Sequence, residues 1–585
     1  MIIISVGTLL PAEIWTTATN YESVMEKSAD AVHLEDVQAL GANLAEISHD
    51  GKPVWEQRQT YGPAGIRGLA TSKYVLAAAA FSTLGGMLFG YDQGVMAITL
   101  TMDQFLTQFP EISSTAVGAS FNKGLMTAMI ELGAFFGAMN CGWIADKFSR
   151  KWSLFIASII FIVGSVLQTA AVNFEMLIIA RLIGGFGVGM CACLAPMYIS
   201  EIAPPEIRGT LLVIQELSIV TGIVIAFYIT YATRHIQSHW SWRGPFLIQM
   251  FPALCLCVGV VFLPYSPRWL CGQDRDEESL KTLSRLRGVP ETDSRVQQEW
   301  YEIRSEVAYR REIEQEKYPH LQDGTVSSTI KLQANNWADT WRGRNWRRTQ
   351  VGVGLMFFQQ FVGINALIYY SPTLFKTMGL DYEMQLTMSG VLNICQVIAC
   401  LWALWGMDRF GRRQLLLYGG VCMFIAHFII AILVGLYHDS WPTHSTEGWV
   451  ATAMLLFFML SFGATWGPIP WAMPAEVFPS SIRAKGCAQA TMSNWGNNFI
   501  IGLITPPMIE GIGFGTYVFF GVFCLIALVW VWFFIPETNG RTLEQMDYVF
   551  KDTQTNEEKQ RRARIEAGMI NRVNEVVRSN SITAV

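Results

Sequence analysis

GWIADKFSRK at residues 142–151 and LWGMDRFGRR at residues 404–413 are two copies of one pattern. Each sets an aspartate four residues before an arginine: Asp146 before Arg150, and Asp408 before Arg412, 262 residues apart. A second pair of loops repeats as well. Glu201, Pro204 and Arg208 return as Glu476, Pro479 and Arg483, 275 residues apart, with proline at +3 and arginine at +7 from the glutamate each time. One match could be chance, but two in corresponding loops point to a duplicated unit.

Outward from these loops the chain is apolar. A helix needs about 20 apolar residues to cross a bilayer. Twelve runs qualify, at 75–98, 124–145, 152–172, 175–198, 209–232, 245–264, 350–370, 386–406, 413–437, 450–475, 485–508 and 514–535. Runs of this length exceed barrel strands, and helices satisfy every backbone polar group within the segment. The sequence therefore predicts an all-α membrane protein with twelve transmembrane helices in two six-helix halves. The expected organisation is a polar tail at 1–72, a first bundle at 73–264, a charged linker at 265–349, a second bundle at 350–535 and a polar tail at 536–585. Short amphipathic helices on the membrane surface are expected in the linker, over 277–287 and 296–314. Orientation follows from lysine and arginine in short loops. With both termini cytoplasmic, nine fall inside (Lys147, Arg150, Lys151, Arg208, Arg409, Arg412, Arg413, Arg483, Lys485) and four outside (Lys123, Arg234, Arg243, Lys376).

Composition agrees. Charged residues make up 15% of the 585 residues, against about 25% in soluble domains. The hydrophobic set makes up 51%, an apolar excess that excludes a disordered chain and argues against an ordinary soluble multidomain protein, and the net charge of −5 gives no support for nucleic-acid binding. The eleven cysteines lie mostly in apolar runs without zinc spacing, which reads as packing and supports neither a disulfide framework nor a metal site.

The motifs GGMLFGYDQG (85–94), ARLIGGFGVG (180–189), PMYISEIAPPEIRG (196–209), SPRWL (266–270), QQFVGINALIYY (359–370), DRFGRR (408–413), PWAMPAEVFP (470–479) and PETNGRTLEQMD (536–547) resemble those of sugar porters of the major facilitator superfamily. Several stretches are similar to fungal monosaccharide–proton symporters. The resemblance implies the major facilitator fold, with a substrate site between the halves. It also implies symport of a monosaccharide (glucose or a related hexose, or xylose) with a proton, in the plasma membrane, by a monomer without cofactor or metal. A passive facilitator and a sugar sensor on the same fold are the alternatives. No nucleophile–base pair, metal cluster or phosphate loop suggests an enzyme.

Charges within spans are costly and usually functional. Asp92 stands six residues before the outer end of the first run and Arg181 six after the outer start of the fourth, so both lie at similar depth. The resemblance makes this pair the proton site. Glu131 could share Arg181 or line the aqueous entrance, and Glu216 could face a cavity beside Gln215 or make a structural hydrogen bond. Sugars need amides that both donate and accept, and an apolar surface for the ring. The resemblance assigns sugar contacts to Gln215, Gln359, Gln360, Asn365, Asn494 and Trp495, with Trp471 packing near the sugar. Gln359 and Gln360 cannot share a face with Asn365 on an unbroken helix, but Gly363 between them could permit unwinding. Tyr369 and Tyr370 resemble an outer lid.

The loop motifs are expected to form a cytoplasmic gate of Asp146, Arg150, Lys151, Glu201, Arg208, Asp408, Arg412, Arg413, Glu476 and Arg483. In it the basic residues pair with Glu201, Glu476 and helix C-terminal carbonyls, holding the halves together while the outer side is open. Two positions depart from the family: Ser149, where glycine is usual, and Asn539, where lysine is common.

Overall fold

The computed structural model describes residues 60–538, except 64, 70–71, 323–324, 344 and 479–481, together with residue 550. Asn539 and nearly all of both expected tails lie outside the described residues. Residues 60–291 and 300–554 form one compact unit, and residues 292–299 belong to a second. Every regular element among the described residues is a helix.

The first group comprises α1 (Lys73–Thr99), α2 (Ala119–Thr169), α3 (Phe174–Ile202), α4 (Arg208–Thr233) and α5 (Trp240–Phe262). The linker holds α6 (Pro267–Gly272), α7 (Asp276–Arg287), α8 (Ser294–Lys317) and α9 (Val326–Asp339). The second group comprises α10 (Trp346–Phe361), α11 (Ile364–Lys376), α12 (Tyr382–Phe410), α13 (Arg412–Tyr437), α14 (Ser445–Ala464), α15 (Ile469–Val477), α16 (Arg483–Ile512) and α17 (Gly515–Phe534). In the linker, burial pushes the Cys271 thiol up to about 11, as suits a packing residue rather than a reactive one.

Ten helices among the described residues are long and apolar enough to cross a membrane, two fewer than the twelve runs. One difference lies in α2, where the expected spans 124–145 and 152–172 follow one another directly, two helices divided by a kink at Ser149. The other is α16, whose Gln489, Asn494, Asn497 and Asn498 dilute its apolar character. Two further runs are interrupted. The one expected at 350–370 breaks between α10 and α11, where Gly363 has φ 99°. The one at 450–475 breaks between α14 and α15.

Packing repeats along the chain. In the first group α2 lies along α3, and α1 along α4. In the second, α12 lies along α14, and α10 along α16. Between the groups, α2 meets α16 and α4 meets α12. Lipid offers helices no hydrophobic drive to associate, so close backbone approach must supply the attraction. A Cβ on Gly133 of α2 would run into the Leu182 carbonyl, and one on Gly185 of α3 into that of Ile130.

Ser149 interrupts α2 with φ 74° and ψ 159°, a region that favours glycine. The matching residue of the second copy is Gly411, at φ 85° and ψ 157°. The two copies cap the following helix differently. At Gly411 the Glu537 carboxylate accepts the N–H groups of Arg412 (3.0 Å) and Arg413 (3.1 Å), and a Cβ would stand 2.6 Å from its Oε2. At Ser149 the hydroxyl itself accepts the Trp152 N–H at 3.3 Å. The first copy can therefore carry a side chain where the second cannot. Ser149→Gly is expected to relieve the strained backbone and stabilise the protein by about 1 kcal/mol. Ser149→Ala keeps the strain, loses the cap and is expected to cost about 1 kcal/mol. Thermal unfolding midpoints of the purified variants check both.

Candidate functional site

Asp92 of α1 and Arg181 of α3 face each other inside the first group. Both are buried, Arg181 at 0% exposure and Asp92 at 1%. The guanidinium donates Nη1 to Asp92 Oδ1 at 3.3 Å and Nη2 to Oδ2 at 3.2 Å, a forked pair. It also donates to the Thr127 carbonyl of α2 at 3.1 Å. A buried charge without such partners would be strongly destabilising, so the two side chains hold three helices together.

The next residue, Gln93, reaches the second group. Its amide donates to Asn365 Oδ1 (3.0 Å) and to the Tyr369 hydroxyl (2.9 Å), both on α11. The break at Gly363 allows this, because it reorients α11 relative to α10. Asn365 in turn donates to Gln360 Oε1. Gln359 donates to the carbonyls of Trp466 (2.9 Å) and Gly467 (3.0 Å) and accepts from Asn494 Nδ2 of α16 at 2.7 Å. The Trp495 ring meets Phe89 of α1 edge-on, with centroids 4.6 Å apart. Several polar atoms here are buried without a partner among the described residues: Gln215 Oε1, Asn494 Oδ1, Trp495 Nε1 and Asn498 Oδ1. Amides and an indole with spare hydrogen-bonding capacity suit a ligand that both donates and accepts.

The Tyr369 hydroxyl donates to Glu131 Oε1 of α2. Glu131 thus has Tyr369 of the other group as its hydrogen-bond partner. Tyr370 donates to the Gly502 carbonyl at 2.7 Å, within its own group. Further along the same end, Arg234 grips Glu383 at 2.7 Å and Ser120 bonds Glu510. The two groups are therefore tied together at the end away from the loop motifs.

At the loop-motif end a cavity of about 430 Å³ opens between the groups, within the roughly 300–1,000 Å³ typical of ligand pockets. Asp146, Arg150, Glu201, Arg208 and Arg483 line it, as do Glu306 and Arg310 of α8. Its inner lining includes Trp471, Met356 and Thr491. Gln359 and Asn494 lie three residues beyond Met356 and Thr491, so the amide cluster sits about one helical turn above the cavity.

The repeated loops make the same bonds twice. Arg150 pairs with Glu201 (3.1 Å) and donates to the Ala145 carbonyl (3.2 Å). Arg412 pairs with Glu476 (3.0 Å) and donates to the Met407 carbonyl (3.2 Å). Arg208 donates to the Ala203 carbonyl, and Arg483 to that of Phe478. Lys151 and Arg413 reach the Val261 and Trp532 carbonyls, at 2.8 and 2.7 Å. Asp146 joins Arg150 at 3.0 Å, whereas the Asp408 side chain lies outside the described residues. All these pairs stay within one group. They do not bridge the two, because the structure is closed at the opposite end.

Glu216 is buried, with no hydrogen bond among the described residues, beside the buried Gln215. Sequence reasoning missed Gln93 and Asn498. Gln93 stands next to Asp92, and Asn498 stands one turn from Asn494 and donates to the Tyr369 hydroxyl at 3.5 Å. A polar residue inside an apolar run, next to or one helical turn from a residue already singled out, is the signal that could have found both.

The chain matches the family described as "Sugar (and other) transporter" over residues 78–550. It is 32% identical over 486 residues to the high-affinity glucose transporter of Kluyveromyces lactis, covering 80% of this chain and 84% of that one. Against sugar transport protein MST2 of Oryza sativa it is 31% identical over 524 residues, covering 87% and 95%. The solved structure of the major facilitator proton:xylose symporter XylE bound to 6-bromo-6-deoxy-D-glucose superposes with a TM-score of 0.67 at 27% identity, over 82% of this chain and 99% of that one. The chain therefore belongs to the sugar transporter family and carries the major facilitator fold.

Proposed function

We propose that this protein carries a monosaccharide, glucose or a related hexose, together with a proton across the plasma membrane by alternating access, as a monomer. The observation that carries the reading is the adjacency of Asp92 and Gln93. Asp92 is clamped by Arg181, while Gln93 bonds Asn365 and Tyr369 of the other group. A proton arriving on Asp92 loosens its hold on Arg181, and the neighbouring residue of the same helix feels the change at the sugar site. The named neighbours, a glucose transporter and a proton:xylose symporter, support both halves of this reading.

In this reading twelve helices cross the membrane. Ser149 divides α2 into two crossings, α10 with α11 and α14 with α15 make one each, and α16 completes the set. Residues 73–264 and 350–535 form the bundles and 265–349 the cytoplasmic linker, with both tails in the cytoplasm. The excess of basic loop residues at the motif end supports that orientation. The conformation then opens inward. Tyr369, Tyr370, Glu131 and the Arg234–Glu383 pair close the outer side, while the cavity faces the cytoplasm beneath α8. Gln215, Gln359, Gln360, Asn365, Asn494 and Trp495 contact the sugar, and Trp471 packs beside it. The paired loop motifs act as the inner gate.

The test is accumulation of labelled glucose by the purified protein in liposomes under an imposed pH gradient. Wild-type protein is expected to concentrate the sugar, and Asp92→Asn only to equilibrate it. No accumulation by wild type, or undiminished accumulation by the variant, would refute proton coupling. At the sugar site, Asn494→Ala removes a donor and strands Gln359 Oε1. Leaving a buried polar group unpaired costs about 1–3 kcal/mol, so KM is expected to rise on the order of ten-fold. Initial uptake rates over a range of sugar concentrations measure it.

A further inference from the structure

The break between α10 and α11 leaves a backbone carbonyl to be satisfied. α10 ends at Phe361, and Gly363 turns the chain at φ 99° into α11. Among the described residues the Val362 carbonyl receives no backbone N–H. It lies 3.1 Å from His427 Nε2 of α13. A carbonyl can only accept, so Nε2 carries the proton and donates, and Nδ1 is left as a lone pair. Nδ1 has no partner among the described residues. His427 is fully buried, with ring centroids 4.6 Å from Phe458 and 5.8 Å from Phe520. Phe520 also fills the space behind the turn, where a Cβ on Gly363 would come within 2.8 Å of its ring.

We propose that His427 is a positioning residue for transport: its Nε2–H holds the Val362 carbonyl and so keeps the helix broken at Gly363. A freed carbonyl in this dry interior has two ways to be satisfied. It takes a donor from a neighbouring helix, or the helix re-forms and the Ala366 N–H takes it. His427 supplies the first and prevents the second. The break matters because α10 carries Gln359 and Gln360, whereas α11 carries Asn365, Tyr369 and Tyr370. Re-forming the helix would swing the second set away from the first. The hold keeps the Val362 carbonyl satisfied while α11 stays turned away from the line of α10.

The inference rests on the transport reading for its consequence, but the hold itself can be measured without sugar. Gln places its amide nitrogen where His has Nε2, whereas Asn reaches only as far as Nδ1. H427Q is therefore expected to keep the break and H427N to lose it. In hydrogen–deuterium exchange on the purified full chain, H427N should slow exchange across 364–366 relative to wild type, and H427Q should match wild type. In labelled-glucose uptake at matched surface abundance, H427N should raise KM on the order of ten-fold while H427Q stays within about two-fold, as expected for one buried hydrogen bond. A purely structural role would change the amount of protein at the surface and leave KM alone. H427N with wild-type exchange, or H427Q with a raised KM, would overturn the proposal. If wild type took up no sugar while the exchange contrast persisted, the transport reading would fall and the hold on Val362 would stand.

Discussion

Nothing in the middle of a bilayer will hydrogen-bond a stray polar group, and this protein is organised around that fact. Its long helices satisfy their own backbones. Where they break, at Ser149, Gly363 and Gly411, a side chain or a neighbouring helix takes up the groups set free. Where a charge enters the interior, as at Asp92 and Arg181, it arrives with its counter-charge and further partners. Four of the buried polar atoms left without partners lie on α4 and α16, on Gln215, Asn494, Trp495 and Asn498. Unmet hydrogen-bonding capacity on several amides and an indole is what a polyhydroxylated ligand would seek out.

The same constraint explains what the sequence reveals. Runs of apolar residues announce helices because only helices can occupy lipid, and the duplicated loops announce the duplicated packing. The equal depth of Asp92 and Arg181 is legible because depth counts along a helix at a fixed rise per residue. The role of Gly363 is legible because Gln359 and Asn365 cannot otherwise share a face.

The rest depends on contacts between residues far apart in the chain. No local pattern aims Tyr369 at Glu131, or Gln93 at Asn365, 272 residues away. The break in α2 falls where the sequence separates two apolar runs, but its backbone conformation is less evident. Serine gives no local sign of it; the signals are the glycine usual in the family at this position and the matching Gly411 of the second copy. Conversely, the polar face of α16 lowers its hydropathy because that helix supplies the amides. Its weak membrane signal and its place at the site have one cause.

The two loop copies differ in when they can be completed. The first draws its cap from Ser149 and its acidic partner from Glu201, so both are present once the fourth apolar run has been made. The second needs Glu537 and Thr538, the latter donating to Glu476 at 2.6 Å, and both follow the last apolar run. On the ribosome, which builds the chain from its amino end, the leading bundle can therefore lock its corner while the trailing one still waits. The trailing copy closes only after the last apolar run has been made.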